Sequence, residues 1–254
     1  MTTHSPIALI TGGNRGLGRH SAIALARQGV DLIITYRSHA DEAQGVIAEI
    51  EALGRRAVAL QLDVTAVEQF PAFADMVRET LATHWQREQF DFLFNNAGLG
   101  VNASFAETSS TQFDLMVALH IKGPFFLTQT LLPLIADGGR ILNVSSGLTR
   151  FALPGHAAYA MMKGGIEVLS RYLAKELGPR GITVNTLAPG AIETDFGGGA
   201  VRDNAKLNAL VASNTALGRA GLPDDIGGVV TALLAPGSGW INGQRIEASG
   251  GMFL

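Results

Sequence analysis

A tyrosine and a lysine stand four residues apart in the segment AYAMMKGG, at Tyr159 and Lys163. On a helix this spacing places both side chains on one face. A phenol ordinarily keeps its proton up to about pH 10, and a nearby ammonium lowers its pKa by favouring the phenolate. The neighbours Ala158, Gly164 and Gly165 leave room for a ligand. The pair therefore predicts a phenol that exchanges a proton with a bound substrate.

Two serines, Ser145 and Ser146, follow the apolar run ILNV just upstream. The run predicts a strand, and ligands of α/β folds bind at the carboxyl edge of the parallel sheet. A serine hydroxyl at that edge could hold a substrate carbonyl while Tyr159 donates its proton. A Tyr-x-x-x-Lys spacing alone also occurs where the tyrosine is a core residue and the lysine is solvated. The interpretation therefore depends on the other motifs.

The segment ALITGGNRGLGRHSAIALARQG predicts a strand, a glycine-rich turn and a helix. Gly12, Gly16 and Gly18 have the spacing TGxxxGxG. Glycines let the main chain approach a pyrophosphate, and the N–H groups that open a helix favour negative charge. Such a turn can serve packing alone, but its place between a first strand and a first helix is typical of dinucleotide binding.

The end of the second predicted strand bears on which dinucleotide binds. NAD sites usually place an acidic residue there, against the ribose 2′-hydroxyl. This strand ends instead in Tyr36, Arg37 and Ser38, and Arg15 lies in the glycine turn. Two guanidiniums and a hydroxyl suit a 2′-phosphate, whereas the alternative is that both arginines are solvated surface residues. The sequence therefore favours NADP(H) over NAD(H) as the cofactor.

Apolar runs that alternate with helical patterns must position these residues. Strands are predicted at Ile7–Ile10, Leu32–Tyr36, Ala57–Gln61, Phe92–Asn95, Arg140–Val144, Thr183–Leu187 and Gln244–Ala248. Helices are predicted near 16–28, 40–53, 66–83, 111–135, 156–178 and 223–235. The alternation predicts an α/β, single-domain Rossmann fold over residues 1–254, with a doubly wound parallel sheet of about seven strands and helices on both faces. The irregular stretch 193–220 predicts a substrate lid.

Composition limits the remaining possibilities. The chain has 254 residues, 47% of them hydrophobic, which is enough for one large core. Its net charge of −3 predicts no nucleic-acid and no membrane partner. The sequence contains no cysteine, so disulfides, thiol catalysis and cysteine metal ligands are excluded, and we expect no metal site. The opening ten residues lack the pattern of a secretory signal, so we expect a cytoplasmic protein.

In combination, these motifs resemble those of the short-chain dehydrogenase/reductases in their carbonyl-reducing form. The resemblance covers nearly the whole chain. Its matching segments are TGGNRGLG at 11–18, Asp63-Val64, NNAG at 95–98, NVSSG at 143–147, YAMMK at 159–163 and PGAIET at 189–194. The family resemblance implies hydride transfer between nicotinamide and a ketone, an aldehyde or a 3-oxoacyl group, or the corresponding alcohol, and the end of the second strand favours NADP(H) for it.

Individual roles follow from the resemblance. It implies that Tyr159 is the proton donor, that Ser146 orients the carbonyl, and that Lys163 holds the nicotinamide ribose and lowers the tyrosine pKa. Together with Tyr36, Arg37 and Ser38, the implied cofactor contacts are Gly12, Asn14, Arg15, Gly16, Leu17, Gly18, Asp63, Val64, Asn95, Ala97, Gly98, Tyr159, Lys163, Pro189, Gly190, Ile192 and Thr194.

One position, His120, departs from the family pattern. The family has an asparagine there, whose main-chain carbonyl holds a water that links the lysine to solvent. A main-chain carbonyl survives the change, so we expect activity to persist. We include His120 among the catalytic residues, with two roles open. Its side chain could relay protons, because an unperturbed imidazole titrates near neutrality, or it could fill space at a helix bend.

Two other functions are compatible with parts of the pattern. The spelling YxxMK also occurs in related enoyl reductases, but the TGxxxGxG turn and the NNAG loop favour the carbonyl-reducing branch. A non-catalytic NADP-sensing regulator could use the same fold, although such proteins typically lose the tyrosine or the lysine.

Substrate and subunit contacts are less well marked in the sequence. The small-molecule carbonyl or alcohol substrate is expected among Leu99, Val101, Arg150, Phe151, His156 and Phe196, where Arg150 could meet an anionic group or lie on the surface. Apolar residues on more than one face of helices 111–135 and 156–178 predict subunit contacts. With the family resemblance, they lead us to expect a homotetramer.

Overall fold

The computed structural model describes residues 5–254, so the first four of the opening ten residues lie outside it. Seven parallel strands form one sheet in the order β3-β2-β1-β4-β5-β6-β7. The strands are β1 Ile7–Ile10, β2 Asp31–Tyr36, β3 Ala57–Gln61, β4 Phe90–Asn95, β5 Ile135–Val144, β6 Thr183–Pro189 and β7 Arg245–Ala248. The order reverses between β1 and β4, which is the position where such sheets bind ligands. The predicted Rossmann fold is confirmed.

Nine α-helices connect the strands within the described residues. They are α1 Gly16–Arg27, α2 Ala40–Ala52, α3 Phe70–Trp85, α4 Ser110–Val117, α5 Gly123–Leu131, α6 Ala157–Leu177, α7 Ala200–Asp203, α8 Ala205–Ser213 and α9 Pro223–Leu234. One core lies between the sheet and α1, α2 and α9, and the other between the sheet and α3, α5 and α6. Because both faces are covered, the central strands read as continuous apolar runs.

The long helix predicted at 111–135 differs from the observed segment. It is divided by a π-helical turn, Ala118–Lys122, and α5 ends at Leu131. A 3₁₀ turn containing Pro133 leads directly into β5, which begins at Ile135. The predicted strand start at Arg140 was wrong. Ile135 already pairs with Phe90 of β4, but the register then shifts before Arg140 pairs with Phe92, and Gly138, which has a positive φ, lies in this irregular stretch. Glycine tolerates this conformation without strain.

The helical stretch Ser110–Leu134 is long and apolar enough, by composition, to cross a membrane, and 39% of its most apolar window is buried. A core helix of a globular fold has the same length and composition. Here α4 packs against α6 and α5 packs against α3.

The predicted lid forms a helical insertion between β6 and α9. A 3₁₀ turn, Phe196–Gly199, leads into α7 and α8. The φ angles of its three glycines are all positive, a run that other residues rarely adopt. Arg202 binds both Asp195 and Asp203 and closes this turn.

Candidate active site

The glycine-rich turn has the shape of a phosphate cradle. Gly12 and Gly16 have φ angles of 64° and 55°. A Cβ atom on Gly18 would lie 2.2 Å from the Gly12 carbonyl oxygen, so only glycine lets α1 start this close to β1. No described side chain caps the start of α1, and its first turn holds no acidic residue. The first N–H groups of the helix are therefore available to an anion.

An amide clamp that the sequence analysis missed joins this turn to the NNAG loop. Asn96 donates from Nδ2 to the carbonyl oxygens of Thr11 and Gly12 over 2.9 and 3.1 Å. In return, the Thr11 hydroxyl accepts from the main-chain N–H groups of Asn96 and Ala97, both over 3.0 Å. The two loops lie 85 residues apart in sequence and behave as one unit.

Two further predicted segments reach the same edge of the sheet. Thr194, in the segment after Pro189, Gly190 and Ile192, lies 3.9 Å from where a Cβ on Gly16 would be. Val64 is buried, and its carbonyl lies beside Gly123 of α5. The Asp63 carboxylate accepts from the N–H and hydroxyl of Thr65, which fixes the loop after β3. Leu17 packs on the core beneath the turn.

Charged groups cluster beyond the tip of β2. Arg15, Arg37 and Ser38 are exposed, and Tyr36 is half-buried. Neither guanidinium, of Arg15 or of Arg37, forms a salt bridge or side-chain hydrogen bond with another described residue. Asn14 donates to Glu42 of α2 over 2.8 Å. The sequence analysis missed this acid because it follows the strand end by several residues.

The prediction that Asn95 contacts the cofactor needs correction for its side chain. Asn95 is buried, and its Nδ2 donates to Thr128 Oγ1 and Asn143 Oδ1 over 3.0 and 2.8 Å. Asn143 in turn donates to Ser170. Because both N–H groups of the Asn95 amide already have acceptors inside the protein, they are not available to a cofactor. Ala97 and Gly98, which follow it, are partly or fully exposed.

The two serines after β5 have different environments. Ser145 is buried and donates to Glu167 over 2.6 Å. Ser146 is partly exposed, and its Oγ accepts from the Leu148 N–H over 3.2 Å. That bond leaves the Ser146 hydroxyl proton free to donate. Geometry therefore selects Ser146, rather than Ser145, as the serine that can meet a ligand.

Tyr159 and Lys163 are both buried on α6, with Nζ of the lysine 5.5 Å from the centroid of the phenol ring. The predicted lowering of the Tyr159 pKa by Lys163 was wrong. Burial raises this pKa above its usual value, and the nearby Ser146 hydroxyl, which can donate to the phenolate, opposes the rise only in part. The lysine ammonium instead donates to the Val144 carbonyl over 2.9 Å, and burial lowers the pKa of Lys163 to about 7.

His120 lies in the π-helical turn, as expected of a residue at a helix bend. Its Nε2 lies 2.8 Å from the Leu99 carbonyl oxygen, which only accepts, so Nε2 carries the proton. Its Nδ1 is buried without a described partner. Burial, with the charge of Lys163, lowers the pKa of His120 to about 3, so the proton relay based on a near-neutral pKa is wrong. The ring meets Tyr159 edge-on at 5.3 Å.

A cavity of about 10 Å³ lies beside the lysine, and its polar lining includes Asn95, His120, Asn143 and Lys163. This volume is close to what one water molecule requires, and the lining provides polar partners for it.

The predicted substrate residues fall into two groups. Leu99 and Val101 pack around Tyr159, and Phe196 of the predicted lid lies 5.8 Å from its ring. These side chains form an apolar wall beside the phenol. Arg150 and Phe151 belong elsewhere, because the guanidinium binds Glu247 and the ring packs on Phe253 at 4.6 Å. The third predicted residue of this loop, His156, lies with its Nε2 3.2 Å from Nδ2 of Asn102.

Comparison with known proteins matches this geometry to a family. A family model described as enoyl-(acyl carrier protein) reductase matches residues 12–253. The hydroxynaphthalene reductase Arp2 of Aspergillus fumigatus is 34% identical over 252 residues, which cover 94% of this chain and 89% of that protein. The chain belongs to the short-chain dehydrogenase/reductase family.

Two solved structures of this family are similar over almost their whole length. The reductase LugOII, which catalyses keto-reduction at C1 during lugdunomycin biosynthesis, has a TM-score of 0.93 at 36% identity, with 100% of both chains covered. The angucycline C-6 ketoreductase LanV with bound NADP has a TM-score of 0.92 at 34% identity, covering 98% of this chain and 95% of that one. LanV has also been solved with NADP and rabelomycin. The expected class, an oxidoreductase acting on carbonyl groups, is confirmed against the non-catalytic alternative.

Proposed function

We propose that this short-chain dehydrogenase/reductase is an NADPH-dependent ketoreductase whose substrate is a ketone on a fused-ring, largely apolar molecule. The main support for this proposal is the position of Tyr159 and Ser146 at the carboxyl edge of the sheet. They lie beside the apolar wall formed by Leu99, Val101 and Phe196. Relatives named for hydroxynaphthalene and angucycline ketones support this substrate class.

The chain's own residues can hold and protonate a carbonyl. Ser146 orients the substrate oxygen through its free hydroxyl proton. Tyr159, whose pKa burial raises, stays protonated at neutral pH and gives its proton to the same oxygen. Bound NADPH would supply the hydride to the carbonyl carbon. Lys163, which donates to the Val144 carbonyl at the same edge of the sheet, would hold the nicotinamide ribose.

The cofactor preference rests on the cluster beyond β2. The guanidiniums of Arg15 and Arg37, with the Ser38 hydroxyl, suit a 2′-phosphate because arginine pairs strongly with phosphate oxygens. The uncapped start of α1 suits the pyrophosphate. Asn14 donates a hydrogen bond to the Glu42 carboxylate, so this acid near the phosphate site already has a partner.

We assign His120 a fixed hydrogen-bonding role rather than a titrating one. Its Nε2–H donates to the Leu99 carbonyl and so fixes the position of Leu99, which belongs to the apolar wall next to Tyr159. The cavity beside Lys163 suits a single water, which would connect the lysine to the buried amides.

A homotetramer remains our proposal for the assembly. The outer faces of α5 and α6 expose large apolar side chains, namely Phe125, Phe126, Met161, Val168 and Tyr172. Soluble domains rarely leave such a patch uncovered, so these faces suit subunit contacts.

A substrate and cofactor panel tests the proposed function. Loss of reduced-nicotinamide absorbance would be followed with bicyclic and tricyclic aromatic ketones, a short aliphatic ketone, a 3-oxoacyl thioester and an enoyl thioester, each with NADPH and with NADH. We expect the fused-ring ketones to be reduced best, and with NADPH. Preferred reduction of the enoyl thioester would instead support an enoyl reductase, and no oxidation of either cofactor would overturn the proposal.

A further inference from the structure

Residues 250–254, which we call the tail segment, are bonded to the end of the lid. The N–H groups of Ala216 and Leu217 donate to the carbonyls of Gly251 and Gly250 over 3.2 and 3.1 Å. In the opposite direction, the N–H of Phe253 donates to the Asn214 carbonyl over 2.9 Å. Three main-chain hydrogen bonds therefore fix the end of the lid to the tail segment.

Arg150 holds the other side of the tail segment. Its Nη1 donates to the Phe253 carbonyl over 2.9 Å, and its Nη2 donates to the Met252 carbonyl. The same guanidinium forms a bidentate pair with Glu247, over 2.9 and 2.7 Å. Arg150 ends the short turn that begins at Ser146. The tail segment is thus tied to the catalytic serine's own loop.

Further ion pairs and hydrogen bonds connect Glu247 to Ser145 and Ser146. Arg245 binds both Glu247 and Glu167 over 2.8 Å each. Arg245 also donates to the Ser146 carbonyl over 3.2 Å, and Glu167 accepts from the Ser145 hydroxyl. A network in which each charge has more than one partner is stiffer than an isolated surface pair.

These contacts occupy four of the five N–H donors of Arg150. Its Nε and both N–H groups of Nη2 have acceptors on the protein, and so does one N–H of Nη1, so the guanidinium is committed mainly to Glu247 and the tail segment. The lid that it supports indirectly carries Phe196, which lies 5.8 Å from the Tyr159 ring. The two ends of the lid are also joined to each other, because the Glu193 N–H donates to the Gly221 carbonyl over 2.9 Å.

We propose that Arg150 is a positioning residue for the substrate lid. It anchors the tail segment against the Ser146 loop, the tail segment fixes the far end of the lid, and the lid places Phe196 over the bound substrate. This inference rests on the proposed function for its kinetic consequence but not for its structural one.

Amide hydrogen exchange tests the structural part. We expect exchange at Ala216, Leu217 and Phe253 to become about 10-fold faster in Arg150→Met, and less so in Arg150→Lys, because opening of the tail costs less without the anchor. The control is Arg180→Met, which removes a guanidinium that also binds one carboxylate, Asp137, and two main-chain carbonyls, but at the opposite edge of the sheet. Unchanged exchange at the three amides in Arg150→Met would overturn the proposal.

Steady-state kinetics test the consequence. In Arg150→Met the KM for a fused-ring ketone should rise about 10-fold, while kcat and the Kd of NADPH stay within about twofold. A fall in kcat at constant KM would contradict a positioning role. Should Arg150→Met fail to fold, Glu247→Gln removes the charge of its partner and should shift both readouts in the same direction. If the wild type reduces none of the ketones, the proposed function fails, whereas the exchange comparison still decides the anchor.

Discussion

Nζ of Lys163 lies 2.9 Å from the main-chain oxygen of Val144, the last residue of β5. The lysine is buried, so this carbonyl is the described group that most directly offsets the loss of water around the ammonium. Burial still dominates and lowers the pKa of Lys163 from 10.5 to about 7.

This shift predicts a pH-dependent stability. Below about pH 7 both the folded and the unfolded chain bind the lysine proton, whereas between about pH 7 and 10.5 only the unfolded chain does. The free energy of unfolding should therefore rise with pH in that window, and Lys163→Met should lack this rise. Urea denaturation at about pH 6, 7.5 and 9 measures it. Lys175→Met, an exposed lysine of the same helix, is the control and should keep the wild-type slope.

Replacement of the proposed proton donor should separate chemistry from binding. Tyr159→Phe keeps the ring that packs against His120 and Phe196 but removes the phenol oxygen. We expect kcat to fall by about 10²- to 10⁴-fold, with the Kd of NADPH within about twofold of the wild type. Tyr172→Phe, an exposed tyrosine on α6, serves as the control. Near-wild-type turnover in Tyr159→Phe would remove the phenol from the mechanism.

His120 should remain neutral across the physiological range, because its pKa is lowered to about 3. The imidazole NMR signals of His120 are assigned as those present in the wild-type spectrum and absent from the spectrum of His120→Asn. We expect them to show the Nε2–H tautomer and no titration between about pH 5 and 8. The pH–rate profile of His120→Asn should keep its wild-type shape. A midpoint near the ordinary histidine pKa would restore the proton relay.

The exposed arginines beyond β2 should set the cofactor preference. Arg37→Ala should raise the KM for NADPH about 10-fold and leave that for NADH within about twofold, because only NADPH carries the 2′-phosphate. Arg27→Ala, at the far end of α1, is the matched control. Equal losses with both cofactors would place Arg37 outside the phosphate site.

Two glycines of neighbouring helices should respond in opposite ways to alanine. Gly18→Ala brings a methyl group to 2.2 Å from the Gly12 carbonyl oxygen, so dinucleotide binding and about 1–3 kcal/mol of stability should be lost. Gly45→Ala in α2 meets no atom within 4 Å and should gain about 0.5–1 kcal/mol. Thermal unfolding and NADPH titration measure both variants. A Gly18→Ala protein that binds NADPH like the wild type would contradict the cradle.

The sequence predicted the sheet well where local pattern and fold agree. The strand at Ile7–Ile10 and the helix starting at Gly16 were correct because an apolar run, a glycine turn and an amphipathic helix follow each other directly. The early part of β5 was missed, because a strand with an irregular start next to Pro133 has no clean period.

Contacts between distant segments explain the errors within the site. The Asn96 clamp and the pairing of Asn14 with Glu42 depend on which loops meet in space, and no local pattern marks that. The pKa of Tyr159 was predicted from its spacing to Lys163, but the depth of burial decides its direction. Likewise Arg150 could be a substrate contact or a surface residue by sequence, and only the fold reveals that its partners are Glu247 and the tail segment.

The buried amides of Asn95 and Asn143 have a consequence for how the sheet assembles. The two residues are direct partners in the alignment of β4 with β5, and Nδ2 of one meets Oδ1 of the other over 2.8 Å. A slip of one residue would turn the two amides to opposite faces of the sheet. Each amide would then be buried among apolar side chains without a hydrogen-bond partner, which costs about 1–3 kcal/mol per unpaired group. The amide pair therefore favours one register of β4 against β5 during folding. A chain without this pair would have competing registers for the two strands.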